Sequence, residues 1–390
     1  MIAIEKKTLC CGCTACEQIC LKHCIVMQND EEGFAYPVVN LEMCVNCGLC
    51  EKVCPIINKK EWNNVPKGYA SYNKNEEERK YSSSGGVFSL LARQILSDGG
   101  IVFGAAMSED CRRVQHISIA NIEDLTYLQG SKYVQSEIGK TYIETKEYLQ
   151  KGKKVLFSGT PCEIEGLKTF LQENYENLFC VDVVCHGVPS PKVWEKYIDY
   201  REQYASSDVR RVFFRNKQWG WKRYSILIEF SNHTLYKCVR TKDLFIQMFL
   251  QNLCLRPSCY ECAFKGEKRN SDITLADFWN CGRICPKLDD DKGLSLILVH
   301  SKKGNELFDI IKEKTISQMI ELDGAIEKNF SLMQSCRKPE KREQFMQSID
   351  DVSFARLGKM FLQRPSIIEK LKRIVPDNIK RNIHKLWKEH

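Results

Sequence analysis

The first 54 residues contain ten of the chain's 21 cysteines, a density that either a disulfide framework or a metal centre would explain. Eight of them form two copies of the spacing C-x2-C-x2-C-x3-C, offset by 34 residues: Cys10, Cys13, Cys16 and Cys20, then Cys44, Cys47, Cys50 and Cys54. This spacing, with proline after the last cysteine, is typical of paired 4Fe-4S clusters in which the fourth cysteine of each run ligates the other cluster. It predicts one cluster on Cys10, Cys13, Cys16 and Cys54 and a second on Cys44, Cys47, Cys50 and Cys20.

Zinc and disulfides are the alternatives for these cysteines. Structural zinc sites pair two C-x2-C knuckles from separate loops, which a run of three cysteines does not match. The opening Met1–Lys7 lacks the apolar core of a signal peptide, so we expect a cytoplasmic protein, whose reducing surroundings disfavour disulfides. Leu21 stands where proline would follow Cys20. Cys11 and Cys24 fall outside the ligand register, and we expect them to pack as small apolar residues.

The composition limits what the rest of the chain can do. The chain has 58 Lys and Arg against 50 Asp and Glu, a formal charge of +8, and residues 356–390 alone hold ten basic and three acidic side chains. The nearly neutral remainder argues against a nucleic-acid-binding surface. No apolar run reaches the ~18 residues that a membrane-spanning helix needs.

The elements that must position further chemistry begin after a polar connector at residues 56–68. Ser82–Gly86 precedes an apolar-periodic run and predicts a helix N-terminus, and residues 101–106 predict a buried strand. Strands over 154–158 and 179–184 alternate with helices over 164–171 and 191–200, which predicts a parallel sheet. Residues 209–215, 224–230 and 234–239 alternate like antiparallel strands, and 242–253 predicts a helix. The loops Ser158–Cys162 and Cys185–Pro191 then share the sheet edge where ligands bind.

Two resemblances follow from these motifs. Residues 1–58 resemble a dicluster 4Fe-4S ferredoxin domain, which carries electrons one at a time. Tyr69 to Lys314 resemble the beta subunit of coenzyme F420-reducing hydrogenase and formate dehydrogenase, through Ser83–Gly86, Gly130–Tyr133, Gly159–Cys162, Cys259–Cys262 and Ser271–Trp279. The Cys185–Pro189 loop, the fused ferredoxin part and the basic tail are more similar to the bacterial branch of that family. The resemblance implies a beta-subunit-like domain over 69–330.

The family resemblance also implies cofactors. It implies an FAD and a third 4Fe-4S cluster whose ligands, matched motif to motif, are Cys162, Cys185, Cys259 and Cys262. The alternative is four buried apolar cysteines, and Cys281 with Cys285 forms a rival pair. Residues 83–86 at a helix start offer N–H groups to a pyrophosphate, or are an ordinary serine cap. The expected flavin-site residues are Ser83, Ser84, Gly85, Gly86, Gly130, Ser131, Lys132, Tyr133, Gly159 and Thr160.

Two side chains, Lys132 and His186, each have more than one possible role. Lys132 is either near the flavin phosphate or N1, or an exposed turn lysine. His186 could hydrogen-bond a cluster sulfide or shuttle a proton, or it could be structural. No catalytic residue is assigned.

The expected architecture is therefore α+β: a ferredoxin domain, an α/β flavin- and iron–sulfur-binding domain, and a basic helical tail over 337–390. The apolar residues of the tail recur near helical spacing from Ile367 to Trp387, so the tail could lie on an anionic membrane or pack on its own domain or a partner.

The expected clusters together with the expected flavin predict an FAD-dependent iron–sulfur oxidoreductase acting on a small molecule or a deazaflavin, with a redox protein or ferredoxin as partner. The alternatives are an electron-transfer subunit without its own substrate and a zinc-stabilised binding protein.

Overall fold

A computed structural model describes residues 1–363, so the predicted helical tail from Ile367 to Trp387 lies outside the described residues. The N-terminal part contains two short helices and one antiparallel hairpin: α1 (Ala15–Gln18), β1 (Ile25–Asn29), β2 (Ala35–Val39) and α2 (Leu49–Lys52). The hairpin pairs Ile25 with Val39 and Asn29 with Ala35.

The following segment supplies the large sheet and its covering helices. In chain order these are β3 (Lys67–Asn73), α3 (Glu76–Tyr81), α4 (Val87–Ser97), β4 (Ile101–Met107), β5 (Val114–Ile119), α5 (Leu125–Leu128), β6 (Ser136–Glu137), α6 (Thr141–Gln150), β7 (Val155–Gly159), α7 (Pro161–Leu171), β8 (Leu178–Val183) and α8 (Pro191–Ala205).

The second half adds a small sheet and completes the large one. Its elements are β9 (Val209–Asn216), β10 (Ser225–Phe230), β11 (Leu235–Val239), α9 (Leu244–Leu250), β12 (Ile273–Asp277), α10 (Cys281–Ile284), β13 (Ser295–Val299), α11 (Lys302–Ile311), β14 (Thr315–Ile320), α12 (Leu322–Ile326), α13 (Phe330–Met333), α14 (Arg342–Gln347) and α15 (Phe354–Phe361). Short 3-10 turns lie at Lys7–Leu9, Pro257–Glu261, Pro286–Leu288 and Lys312–Lys314.

The large sheet has the strand order β14-β3-β13-β12-β8-β7-β4-β5-β6. Strands β4, β7 and β8 pair in parallel, as predicted, and β12 joins β8 in parallel. The pairs β12–β13, β13–β3, β3–β14 and β4–β5 are antiparallel and β5–β6 is parallel, so the complete sheet is mixed. These outer strands were not predicted from the sequence, because they come from segments without a β-α-β period. Strands β9, β10 and β11 form the predicted antiparallel meander.

Both faces of the large sheet are covered, and this fixes the position of the N-terminal part. Apolar residues of α4 and α11, such as Leu91 and Phe308, pack on one face. Helices α6 and α7 cover the other face, and their core includes Cys13, Ala15 and Val53 of the N-terminal part. The N-terminal part is thus docked on the outside of α6 and α7.

Two helices at the sheet edge begin with side-chain caps that explain their boundaries. At α7, Thr160 and Glu163 form a reciprocal capping box, and Pro161 occupies the first turn. At α8, the Ser190 hydroxyl accepts from the N–H of Val193 ahead of Pro191. These caps fix where β7 and the loop after β8 end. The side chains that follow each of these strands therefore lie at the same edge of the sheet.

Candidate metal and cofactor sites

The duplicated cysteine spacing is also a duplicated backbone turn. Gly12 and Thr14 adopt left-handed conformations before α1, with φ of 74° and 62°. Asn46 and Gly48, 34 residues later, repeat this before α2 with φ of 54° and 75°. Successive turns of this kind direct backbone N–H groups towards an anion, which suits thiolates and cluster sulfides.

Side-chain proximity agrees with the crosswise ligand assignment. Burial raises the pKa of Cys16 to about 12, and the neighbouring Cys10 and Cys54 thiols add to the shift. Burial also raises the pKa of Cys54, with Cys10 again contributing. Three of the thiols expected to share one cluster, Cys10, Cys16 and Cys54, thus lie near one another, and Cys50 of the second set lies near them too.

The second set collects around Cys20. Its Sγ lies 3.3 Å from that of Cys24, and hydrogen bonding with Cys20 raises the pKa of Cys24 to about 11, with Cys44 contributing. Cys24 is buried as expected, in an apolar cluster with Ile2 and Ile25, and it also contacts Cys20. In residues 1–363 no three His, Cys, Asp or Glu side chains converge on one single-ion position.

A third group of thiols lines a cavity of about 40 Å³ at the edge of the large sheet. Four of them are the predicted ligands: Cys162 in the first turn of α7, Cys185 after β8, and Cys259 and Cys262 around the Pro257–Glu261 turn. The fifth is Cys11, which comes from the N-terminal part. Cys11 packs against the apolar core of α6 and α7, as expected, and in addition the docked N-terminal loop places it at this cavity.

The electrostatics of this cavity suit a bound cationic metal centre. Burial raises the pKa of Cys259 to about 12 and that of Cys185 well above its usual value. A hydrogen bond with Cys11, followed by burial, raises the pKa of Cys162 in the same direction. Buried thiols of this kind become thiolates when a metal supplies the compensating charge. The donor set thus fits a thiolate-ligated cluster.

The rival pair Cys281 and Cys285 lies elsewhere. Both side chains are buried in a separate apolar cluster with Trp221, Phe278 and Leu296. Burial raises the pKa of Cys281 to about 12, and the nearby Asp289 carboxylate adds to the shift. Neither cysteine lines the thiol cavity, so this pair does not join the third group.

A second cavity of about 460 Å³ adjoins the thiol cavity. Nine of the ten predicted flavin-site residues line it: Ser83, Ser84, Gly86, Gly130, Ser131, Lys132, Tyr133, Gly159 and Thr160. Gly85 instead faces the sheet, and its N–H donates to Ser295 Oγ at 3.0 Å. A Cβ at Gly85 would lie 2.5 Å from the Ser71 carbonyl oxygen, so glycine is needed there for close packing.

Hydrogen bonds join the loops that line this cavity to each other and to neighbouring segments. Ser83 Oγ accepts from the Ser131 N–H at 2.7 Å and lies 2.8 Å from Ser131 Oγ. The Lys217 ammonium donates to the Ser84 carbonyl at 2.9 Å, and burial lowers the pKa of Lys217 to about 7. Burial likewise lowers the pKa of Lys132 to about 7, where its ammonium donates to the Tyr127 and Gln129 carbonyls.

Comparison with known proteins identifies the two parts of the chain. Residues 9–56 match the family described as 4Fe-4S dicluster domain. Residues 152–324 match the family described as the C terminus of the beta subunit of coenzyme F420 hydrogenase/dehydrogenase. The chain therefore combines a segment similar to the C terminus of that beta subunit with an N-terminal segment similar to a dicluster domain.

Two similar proteins illustrate the family. The F subunit of F(420)H(2) dehydrogenase from Methanosarcina mazei is 23% identical over 239 residues, which cover 55% of this chain and 64% of that protein. The match therefore spans less than two thirds of that relative's length. A chain of the F420-reducing [NiFe] hydrogenase complex from Methanosarcina barkeri, in a xenon derivatization structure, aligns with 15% identity and a TM-score of 0.46 over 76% of this chain and 91% of that chain.

The match to this family contains the four predicted cysteines of the thiol cavity, whereas the Ser83–Gly86 and Gly130–Tyr133 segments precede it. His186, inside the matched region, lines both cavities. Its Nε2 lies 2.7 Å from Asn252 Oδ1 and its Nδ1 lies 3.3 Å from Ser331 Oγ, and burial lowers its pKa. Both ring nitrogens are therefore occupied by neutral partners, which favours the structural role for His186.

Further residues that were not predicted from the sequence also line the large cavity. His116 bonds Ser136 Oγ at 2.7 Å through Nδ1, and Arg215 pairs with Asp277 at 2.5 Å while facing the ring of Tyr224. Asp277 lies inside a motif that the sequence already singled out. His116 and Arg215 carry no local motif, so only the fold brings them to the cavity.

Across the described 1–363 stretch, no helix combines the length and the apolar character that crossing a membrane requires.

Proposed function

We propose that this chain is an iron–sulfur flavoprotein oxidoreductase that passes electrons between its dicluster domain and an FAD, through a third 4Fe-4S centre, for chemistry on a small molecule or a deazaflavin. The observation that carries the proposal is the shared wall between the two cavities, which consists of Cys185, His186, Gly187 and Val188. A cluster ligated by Cys185 and a ligand in the larger cavity would be in immediate proximity.

The larger cavity fits a flavin in size and in its polar groups. Its volume of about 460 Å³ falls within the ~300–1,000 Å³ range of cofactor sites. Ser83, Ser131 and Lys132 would hold the phosphates, and Thr160 belongs to the lining that would contact the rest of the flavin. When bound, a flavin exchanges electrons singly or in pairs, whereas iron–sulfur clusters exchange them singly.

The exposure of the N-terminal cysteines supports a direction for docking. Cys47 of the second set is exposed, whereas Cys13 of the first set is buried against α7. A redox partner or ferredoxin would therefore approach the second set, and the first set would face the α/β domain. This order suits an enzyme whose electron supply is built into its own chain.

The full chain, reconstituted anaerobically with iron, sulfide and FAD, tests the proposal. We expect about twelve irons per chain, release of FAD on denaturation, and flavin reduction by reduced ferredoxin. Turnover with NADH or coenzyme F420 would identify the small-molecule side. Protein with eight irons that binds no FAD on titration would contradict the proposal.

The name of the Methanosarcina mazei relative, one subunit of a dehydrogenase, favours a second candidate. In this candidate the chain is an electron-transfer subunit without a substrate of its own. FAD-loaded protein that is reduced by ferredoxin but turns over no small molecule until a partner oxidoreductase is added would support this candidate over the first.

A further inference from the structure

Arg256 is fully buried where the N-terminal part meets the α/β domain, and no carboxylate within residues 1–363 forms an ion pair with it. Another buried arginine at the same boundary, Arg342, forms a bidentate pair with Glu32 at 2.6 and 2.5 Å. A buried guanidinium is costly unless an anion compensates its charge. Arg256 therefore requires a different anion.

The contacts of Arg256 show where that anion is. Its Nε donates to the Cys10 carbonyl at 2.8 Å, and its Nη2 donates to the Ala35 carbonyl at 2.9 Å and lies 3.6 Å from Cys10 Sγ. Its Nη1 donates to Gln135 Oε1 at 3.0 Å. The sulfur of Cys10 is the one atom in this shell that carries charge when a cluster is bound.

The backbone of Arg256 is hydrogen-bonded to two residues that line the thiol cavity, Val188 and Cys259. Its carbonyl accepts from the N–H of Cys259 at 2.9 Å, and its own N–H donates to the Val188 carbonyl at 3.0 Å. Its guanidinium contacts Cys10 of the first N-terminal cysteine set, so the residue connects that set with the residues around the thiol cavity. The flat side of the guanidinium rests on the Tyr36 ring, 4.3 Å from its centroid, which fixes its orientation.

We propose that Arg256 is the counter-ion of the N-terminal cluster held by Cys10, and that its charge and its N–H···S hydrogen bond raise the reduction potential of that cluster. This rests on the proposed function in that Cys10 is taken as a cluster ligand. A reduced cluster carries one more negative charge than the oxidised cluster, so a nearby fixed cation stabilises the reduced form. Hydrogen bonds to cluster sulfurs act in the same direction. Arg256 is thus a positioning and tuning residue between two redox centres.

The test is a redox titration of the full chain, reconstituted anaerobically and followed by electron paramagnetic resonance. Arg256→Gln should make reduction of one N-terminal cluster at least tenfold less favourable, a shift of about 59 mV to more negative potential for one electron. Arg256→Lys should give a smaller shift in the same direction, since it keeps the charge and loses the fork of donors. Arg342→Lys is the matched control and should leave all potentials within threefold of the wild type.

Equal potentials in wild type and Arg256→Gln would overturn the proposal, as would a shift of the same size in Arg342→Lys. If Arg256→Gln does not fold, wild-type protein labelled with ¹⁵N-arginine decides the question. The reduced first cluster should then show an ¹⁵N coupling by spin-echo spectroscopy, and its absence would overturn the proposal. Protein with eight irons would remove the third centre but leave this test intact, whereas protein without iron would overturn both.

Discussion

Gly166 of α7 lies directly against Cys13 of the dicluster domain. A Cβ at position 166 would approach Cys13 Cβ to 2.7 Å and Cys13 Sγ to 3.0 Å. The helix that carries Cys162 therefore reaches the first cysteine set only because residue 166 has no side chain.

Gly166→Ala should accordingly destabilise the protein by about 1–3 kcal/mol through overpacking, although alanine is normally the better helix former. Flavin reduction by ferredoxin should also slow, because the loop of the first cluster is pushed away from α7. Thermal unfolding and stopped-flow absorbance measure the two effects. Gly324→Ala is the control, since its Cβ would meet only the end of the Ile284 side chain at 3.1 Å. Equal stability in both variants would contradict the packing argument.

Cys162→Ala and Cys262→Ala should each lower the iron content by about four atoms, since a cubane here needs four protein thiolates. The spectra of the N-terminal pair should remain. Cys281→Ala and Cys285→Ala are controls that should keep all iron, because these cysteines lie in a separate core. Iron loss in the controls with retention in Cys162→Ala would mean that the third site is wrongly assigned.

Cys11→Ala tests the fifth thiol of the small cavity. Four ligands suffice for a cubane, so this variant should keep about twelve irons. Because the variant lacks the hydrogen bond between residue 11 and Cys162, the electron paramagnetic resonance signal of the third cluster should change. Cys24→Ala, beside Cys20, serves as the comparison and should alter the second N-terminal cluster instead. If Cys11→Ala loses four irons while Cys185→Ala keeps them, Cys11 is a ligand and Cys185 is not.

Flavin affinity should depend on pH through Lys132. Burial lowers the pKa of this lysine to about 7 in the free protein, and a bound phosphate would favour the charged ammonium and raise its pKa. The bound form then holds more protons above pH 7, so FAD affinity should be highest below pH 7 and fall as the pH rises. Titration calorimetry at several pH values measures this. Lys132→Met should bind FAD more weakly at pH 6 and lose the pH dependence, and an unchanged profile in that variant would exclude Lys132 from the flavin site.

Arg342→Gln should lower the free energy of unfolding by about 3 kcal/mol, because it leaves the Glu32 carboxylate half-buried and unpaired at the domain boundary. Thermal or urea unfolding measures the loss. Arg283→Gln removes an exposed pair with Glu327 and should cost less than about 1 kcal/mol. Similar losses in the two variants would indicate that the Arg342 pair is not what holds the dicluster domain in place.

Local patterns predicted the parts of the fold that depend on short stretches of sequence. The centre of the sheet followed from the alternation around Ser158 and Cys185, because each β-α unit has its own apolar period and cap. The antiparallel strands β3, β13 and β14 were not predicted, since residues such as Ser71 and Ser317 are neighbours only after folding.

The same limit applies to the sites. The four predicted cysteines of the third group and nine of ten expected flavin-site residues meet at two adjoining cavities. Two of these motifs, at Gly159–Cys162 and at Cys185, do so because each follows a parallel strand at one sheet edge. Cys11, Arg215 and Arg256 were missed. Their roles depend on how the two domains and the small sheet pack against each other, and no short sequence pattern around these residues predicts that packing.

The walls of the thiol cavity impose an order of assembly. Thr8 and Ile56, which flank the dicluster domain at its two ends, close the cavity together with Cys11. Docking of this domain therefore covers the side of the cavity on which these residues lie, and it narrows the access of a scaffold protein that delivers a preformed cubane. We therefore expect maturation to begin in the α/β domain, with the third cluster inserted first and sealed in when the dicluster domain folds around its own iron.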